Sequence, residues 1–183
     1  MLYRLFPHLP GAAPLDEWGA LHVARAYQGW GRHDNPDAYG ALYVSREPAS
    51  AVAERLRRLL GRELTEARLH PGGRTLALAE IDESGLGPLP DLDDPVELID
   101  RELRPSVVAT RERERTQPIA LAAYEEGHDG LAWWSTVEAS WTNVTLFAER
   151  VLPKLSLTAP PEPLTMEHPA VLEAAEALGL PTP

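Results

Sequence analysis

The 183-residue sequence contains no cysteine, which excludes disulfide bridges and metal sites built from thiolates. Its six histidines show no spacing typical of a metal site, so we predict that no metal is bound. Lys154 is the one lysine, and any anion site must therefore be built from the planar guanidinium groups of arginine. No run of about 18 apolar residues occurs, so we expect a cytoplasmic protein without membrane contact.

The sequence also has little positive charge: 17 basic residues stand against 28 acidic ones, and the net charge is −11. Binding to DNA or RNA needs a basic surface that neutralises phosphates, and no basic run of that kind is present. We therefore predict no direct nucleic-acid partner. The length and the 44% apolar content favour a globular protein with one sizeable core.

Alternation of apolar and polar residues predicts strands at residues 2–6 and 74–81, and short apolar runs predict strands at residues 41–44 and 131–135. We predict an α+β fold in which antiparallel strands from both ends of the sequence form a cleft flanked by helices. A Pro-rich link and a helix from Pro169 end the chain, which divides it into residues 1–158 and 159–183. The apolar side of that last helix needs a cover, either the domain itself or a second subunit in a homodimer.

Weaker patterns occupy three further parts of the chain. Short strands are predicted at residues 21–25 and within residues 62–70, and a helix over residues 118–126 has Thr116 as its predicted N-cap. Arginine and glutamate alternate over residues 111–115, which is typical of a solvated stretch that neutralises itself. We assign no ligand to this stretch.

Residues 31–54 organise the chain, since they run from a glycine-flanked arginine through a turn into an apolar strand and then a helix. On that helix Val52 belongs to an apolar stripe that must face a core. Glu54 lies roughly 200° round from Val52, on a face with the short side chains of Ser50 and Ala51, so a ligand could approach its carboxylate. The ordinary alternative is an exposed ion pair with an arginine three or four residues later.

Several short motifs resemble the signature of the RES domain family, which is named for an arginine, a glutamate and a serine. They are Tyr3-Arg4-Leu5, Gly31-Arg32-His33, Gly40-Ala41-Leu42-Tyr43-Val44, Ala51-Val52-Ala53-Glu54 and Asp129-Gly130-Leu131-Ala132-Trp133-Trp134-Ser135. The resemblance covers about residues 3–150. Two residues depart from the family pattern: His33 stands where an ordinary aromatic residue is usual, and Thr136 stands where many members have arginine.

The resemblance implies a fold like that of ADP-ribosyltransferases and an enzyme that degrades NAD by hydrolysis or phosphorolysis of the nicotinamide–ribose bond. Glu54 is then the expected catalytic carboxylate, and Arg4, Arg32, Tyr43 and Ser135 are expected to hold NAD. NAD is the substrate, and no separate cofactor is expected. Many family members are toxins held in check by a helix-turn-helix antitoxin, so the resemblance also implies such a partner.

Other functions remain open from the sequence. The acceptor of the ADP-ribosyl group could be a protein side chain instead of water or phosphate. The departures at His33 and Thr136 are also compatible with an inactive module that binds a nucleotide or a protein, and the last helix is compatible with a structural partner-binding role. A serine-protease-like role for Ser135 is rejected, because the sequence lacks a Gly-x-Ser-x-Gly elbow.

Overall fold

Seven antiparallel strands form one sheet in the computed structural model, which describes residues 1–181 of the chain. The strands are β1 (Leu2–His8), β2 (Ala41–Ser45), β3 (Thr75–Asp82), β4 (Gly130–Trp134), β5 (Thr142–Phe147), β6 (Ser156–Leu157) and β7 (Glu162–Pro163). The order across the sheet is β4-β5-β2-β1-β3-β6, and β7 also pairs with β3. The predicted α+β fold, with antiparallel strands from both ends of the sequence, is confirmed.

Six α-helices accompany the sheet within the described residues: α1 (Pro48–Leu56), α2 (Pro95–Asp100), α3 (Pro105–Ala109), α4 (Arg113–Glu125), α5 (Ala148–Val151) and α6 (Pro169–Leu178). Proline at the first helical position begins several of them, because its missing N–H is not needed there. Over residues 1–181, no helix is both long and apolar enough to cross a membrane.

The sheet divides between β1 and β2. β1 pairs with β3 over all seven of its residues. Its pairing with β2, within the described chain, is confined to the position where Tyr3 lies opposite Ser45. Because the two strands part beyond this point, a cleft opens between the β1–β3 half of the sheet and the half formed by β2, β5 and β4.

The first helix, α1, packs against the last helix, α6. Ala49 and Ala53 of α1 share a buried core cluster with Ala170 and Ala174 of α6, and such small side chains let two helices approach closely. The domain itself thus covers the apolar side of α6. Since β7 also pairs with β3, and Leu164 and Leu180 lie in the same core cluster as α1, residues 159–181 pack on the rest of the domain.

Three local predictions are wrong. Short 3-10 helices at Arg25–Tyr27 and Glu66–Leu69 replace the strands predicted in those regions. Backbone N–H and C=O groups there form hydrogen bonds within local turns. For example, the N–H of Arg68 donates to the carbonyl of Thr65. The third error concerns α4, which begins before residue 118 and contains Thr116. The hydroxyl of Thr116 does not cap a helix, since it donates to a loop carbonyl instead.

Candidate active site

One face of the sheet forms the floor of a cavity of about 810 Å³. A row of directly opposed residues crosses this floor: Trp133 on β4, Asn143 on β5, Ser45 on β2 and Tyr3 on β1. The row spans the position where the sheet divides. Because side chains alternate along a strand, Leu5 and Tyr43 lie on the same face as this row, and both also line the cavity. The split sheet therefore creates the cavity.

Helix α1 brings Glu54 to this cavity. One carboxylate oxygen, Oε1, accepts a hydrogen bond from Nδ2 of Asn143 at 3.1 Å and lies 3.4 Å from the hydroxyl of Ser135. The other oxygen, Oε2, pairs with Arg57 at 2.9 Å, and 27% of the Glu54 side chain is exposed. Both interpretations of Glu54 therefore apply together: it forms the ordinary ion pair of a surface helix, and it also lines a cavity.

Arg32 lines the cavity from the loop that precedes β2. Its guanidinium stacks over the ring of Trp133 at 4.6 Å and donates a hydrogen bond to the carbonyl of Val108. Burial lowers the pKa of Arg32, and the nearby charge of Glu54 opposes that effect. Arginine is charged in proteins at neutral pH, so Arg32 is a fixed cation beside the predicted catalytic carboxylate.

The loop that carries Arg32 is held by Asp34. This carboxylate accepts hydrogen bonds from the N–H groups of Gly29 and Gly31, at 2.8 and 2.6 Å, and from the hydroxyl of Tyr43 at 2.7 Å. A β-carbon at Gly31 would collide with the hydroxyl of Tyr43 and the carboxylate of Asp34, so a larger residue there would displace the groups that hold the loop. The Tyr43 ring thus lines the cavity while its hydroxyl fixes the loop, and burial raises the Tyr43 pKa well above its ordinary value.

The cavity is rich in arginine. Among the described residues, one acid, Glu54, lines it together with Arg32, Arg55, Arg57, Arg111 and Arg113. Burial and the neighbouring Arg58 lower the pKa of Arg55 to about 10. The prediction that residues 111–115 simply neutralise themselves is wrong for Arg111 and Arg113, although Arg115 does pair with Glu112.

Two tryptophans accompany these arginines. Trp30 and Arg113 stack at 4.8 Å near the surface, and 81% of Trp30 is exposed. Trp133, under Arg32, is buried. The cavity thus offers aromatic surfaces as well as cations.

Arg4 does not reach the cavity. It stands between Tyr3 and Leu5, whose side chains line the cavity, so its own side chain points to the opposite face of β1. There its guanidinium donates to the carbonyls of Ala20 and His22, and burial lowers its pKa to about 10. The position of Arg4 therefore gives no support to the expectation that it holds a dinucleotide, since Arg4 ties the loop at residues 20–22 to the sheet.

The side chain of Ser135 contacts Glu54 but does not line the cavity. The residue is buried, and its hydroxyl accepts a hydrogen bond from the N–H of Val137 at 3.1 Å in addition to its contact with the carboxylate. Its side chain therefore closes the turn after β4 and contacts the carboxylate from below the cavity surface. The predicted direct bond from Ser135 to a ligand finds no support in this position.

His33 takes the packing position of an aromatic side chain. It is 1% exposed, its ring meets that of Trp133 edge to face at 5.5 Å between centroids, and Nδ1 shares a hydrogen bond with the hydroxyl of Thr145 at 2.8 Å. Burial, together with the charge of Arg32, lowers the pKa of His33 to about 3. The imidazole is thus neutral at neutral pH.

The sequence profile of the RES domain family matches residues 1–167. The chain belongs to the RES domain family. Its fold is similar to that of a chain in the crystal structure of the M. tuberculosis MbcT–MbcA toxin–antitoxin complex, with 20% identity and a TM-score of 0.63. The match covers 97% of this chain and 88% of that chain. None of the curated proteins compared with the chain matches it.

Within this RES domain, the motifs led to Arg32, Tyr43 and Glu54, which all line the cavity. They did not lead to Asn143, which reaches Glu54 only because β5 pairs with β2 in a register that no local pattern shows. They also missed the cavity arginines outside the motifs. Across residues 1–181, no group of three or more side chains suited to a metal ion comes together. The arrangement can bind a polyanion beside a carboxylate.

Proposed function

We propose that this RES domain breaks the bond between nicotinamide and ribose in NAD and acts as the toxin of a toxin–antitoxin pair. The observation that carries the proposal is the cavity itself, which Glu54 lines together with five arginines among the described residues. The whole protein has a net charge of −11, so concentrating guanidinium groups at one cavity creates a local site for an anion.

The size and chemistry of the cavity support a dinucleotide. A volume of about 810 Å³ lies within the roughly 300–1,000 Å³ of typical small-molecule sites. Guanidinium groups bind phosphate oxygens through paired hydrogen bonds, and exposed tryptophan offers a surface for a base. Nε of Arg55 is buried and has no hydrogen-bond partner among the described residues, so a bound phosphate is a group that could satisfy it.

Glu54 supplies the chemical function. When the glycosidic bond breaks, its electron pair passes to the nicotinamide nitrogen, and positive charge develops on the ribose carbon in an oxocarbenium-like transition state. A carboxylate fixed beside that carbon stabilises the charge. An acceptor oxygen, from water or phosphate, then gives an electron pair to the same carbon and loses its proton where it carries one. The cavity arginines hold the pyrophosphate and keep the ribose next to Glu54.

Product analysis tests the enzymatic part of this proposal. The purified protein is incubated with NAD, with and without inorganic phosphate, and nicotinamide and the ribose product are identified. Free ADP-ribose would indicate hydrolysis, a phosphorylated ADP-ribose would indicate phosphorolysis, and ADP-ribose attached to protein would indicate transfer. Stabilisation by NAD without any nicotinamide release would instead indicate an inactive binding module. Absence of both effects would leave only a protein-interaction role.

The toxin role has a separate test in cells. The family of this chain and its fold similarity to a toxin–antitoxin complex support a partner that inhibits it, for which we propose a helix-turn-helix antitoxin whose end enters the cavity. Expression of the RES domain alone should slow growth and deplete NAD, and the Glu54→Gln variant at equal abundance should do neither. Normal growth with undiminished NAD at high expression of the wild type would contradict the toxin role.

A further inference from the structure

Asn143 occupies a buried position at the centre of the cavity floor. It is 2% exposed and lies on β5, directly opposite Ser45 of β2 on one side and Trp133 of β4 on the other. An amide in the middle of a sheet must satisfy its own donors and acceptor, because water does not reach it freely. Its hydrogen bonds therefore define which way the side chain faces.

Two serine hydroxyls select the orientation of this amide. Oδ1 of Asn143 accepts hydrogen bonds from Oγ of Ser45 at 2.7 Å and from Oγ of Ser50 at 3.0 Å, and both serines are buried. With its oxygen held on that side, the amide presents its NH₂ group to Oε1 of Glu54 at 3.1 Å. The serines come from β2 and from the first turns of α1, so the arrangement links the sheet to the helix that carries Glu54.

We propose that Asn143 is a positioning residue for Glu54, and that Ser45 and Ser50 lock it in the orientation that does this. The proposal rests on the proposed function, because it explains how the carboxylate is kept beside the ribose. A glutamate side chain has three rotatable bonds, and fixing it in one conformation costs entropy that a preformed hydrogen bond can offset.

The two oxygens of the Glu54 carboxylate then have different roles. Oε2 pairs with Arg57, which also lines the cavity and so can transfer its hydrogen bonds to a bound phosphate. Oε1 stays attached to Asn143, which is uncharged and fixed in the sheet. Asn143 therefore keeps Glu54 in place when Arg57 turns to the ligand, and it does so without cancelling the negative charge that the reaction needs.

Kinetics of the purified protein with NAD provide the first test. Asn143→Ala should lower kcat by about 30-fold or more and change KM for NAD by less than about threefold, since the lost interaction acts on Glu54 and not on the bound pyrophosphate. The same-strand control is Thr142→Ser, whose side chain points to the other face of β5 and which should retain kcat within about twofold. An Asn143→Ala protein that keeps more than a third of the wild-type kcat would overturn the proposal.

Substitutions of Ser45 and Ser50, the serine lock, test the proposal without changing Asn143 itself. Ser45→Ala or Ser50→Ala alone should lower kcat by less than about 1.5-fold, because the other hydroxyl still holds the amide oxygen, whereas the double variant should lower it by at least about tenfold, well above the roughly twofold loss that two independent effects would give. If Asn143→Ala fails to fold, this double variant decides the matter. Simple addition of two small effects in the double variant would contradict the lock.

Crystal structures of the wild type and of the Ser45→Ala, Ser50→Ala double variant give a readout that does not depend on turnover. The proposal predicts that the Asn143 amide rotates and that the Glu54 carboxylate leaves its position while the α1 backbone stays. A wild type that releases no nicotinamide, with Glu54 displaced in the variant, would refute the enzymatic function but retain the positioning. An unmoved Glu54 in the variant would refute the positioning alone.

Discussion

Arg57 donates a hydrogen bond to Oε2 of Glu54 at 2.9 Å, one helical turn after it and at the end of α1. About a quarter of each side chain is exposed, so the pair contributes at most about 1 kcal/mol to stability. Its importance is therefore functional: it puts a cation that lines the cavity next to the carboxylate on which the proposed chemistry depends.

Arg57→Ala tests whether this arginine also grips the ligand. We expect the affinity for NAD to fall by about tenfold or more, because a charge-assisted hydrogen bond to phosphate is lost. The free energy of unfolding should change by less than about 1 kcal/mol. Calorimetric titration and urea denaturation measure the two quantities. Unchanged NAD affinity would mean that Arg57 serves Glu54 alone.

Arg32→Ala should weaken NAD binding by a few kcal/mol, because Arg32 is held rigidly between Trp133 and Val108 and can present a preformed guanidinium to the pyrophosphate. Lysine should rescue it poorly, since a point charge lacks the planar fork. The matched control is Arg115→Ala, whose arginine pairs with Glu112 and is 59% exposed. Equal affinities of the folded Arg32→Ala and Arg115→Ala proteins would remove Arg32 from the site.

His33 should make stability fall in mild acid. The pKa of His33 is lowered to about 3 in the folded protein, whereas it is roughly 6.5 in an unfolded chain. At pH values between these two, His33 is protonated in the unfolded state and neutral in the folded state. Stability is therefore lost as pH falls below about 6.5, and His33 should lower the free energy of unfolding by about 2 kcal/mol between pH 7 and pH 5.

The measurement is urea denaturation at both pH values for the wild type and for His33→Phe, which keeps an aromatic ring. Other titrating groups are common to both proteins, so the difference between their pH slopes reports His33. Parallel slopes would show that His33 is protonated in the folded state or is not buried.

The C-terminal helix should be needed for stability, because it packs on α1 in a shared core cluster. Val171 of α6 is 0% exposed in the core cluster shared with α1, so Val171→Ala should cost roughly 1–3 kcal/mol. Leu172→Ala is the control, because Leu172 is 50% exposed and its loss should cost within about 0.5 kcal/mol. Equal, small losses in thermal or urea unfolding would show that α6 is not part of the core.

Local patterns predicted those parts of the fold whose signals are local. The strand at residues 41–44 follows from an apolar run, and the helices from Pro48 and Pro169 follow from apolar stripes and proline at the helix start; all three are present. The regions near Arg25–Tyr27 and Glu66–Leu69 have no clean period, and turn hydrogen bonds decide their conformation. Periodicity could not have identified them.

The site was predictable only in part for a related reason. Arg32, Tyr43 and Glu54 fall within one continuous motif, so the sequence brings them together. Asn143 arrives through strand pairing, which depends on the whole sheet. Arg4 is a predicted site residue but does not line the cavity. Alternation correctly places it on the face of β1 opposite to Tyr3 and Leu5, but only the structure shows that the cavity lies on the face of Tyr3.

The central claim is that the charge of Glu54 supports cleavage of the nicotinamide–ribose bond. Glutamine at this position keeps the size of the side chain and can still accept the hydrogen bond of Asn143, so Glu54→Gln should lose only about 0.5 kcal/mol of stability and bind NAD nearly as well. Loss of the charge should cost roughly 3 kcal/mol or more of barrier, at least about a hundredfold in rate.

Nicotinamide release under single-turnover conditions, with NAD affinity determined on the same samples, tests this claim most directly. The account predicts release by the wild type, and release at least about a hundredfold slower by Glu54→Gln at similar affinity. Equal rates for the two proteins would take Glu54 out of the mechanism. No release by the folded wild type, with or without phosphate, would contradict the NAD-degrading function itself.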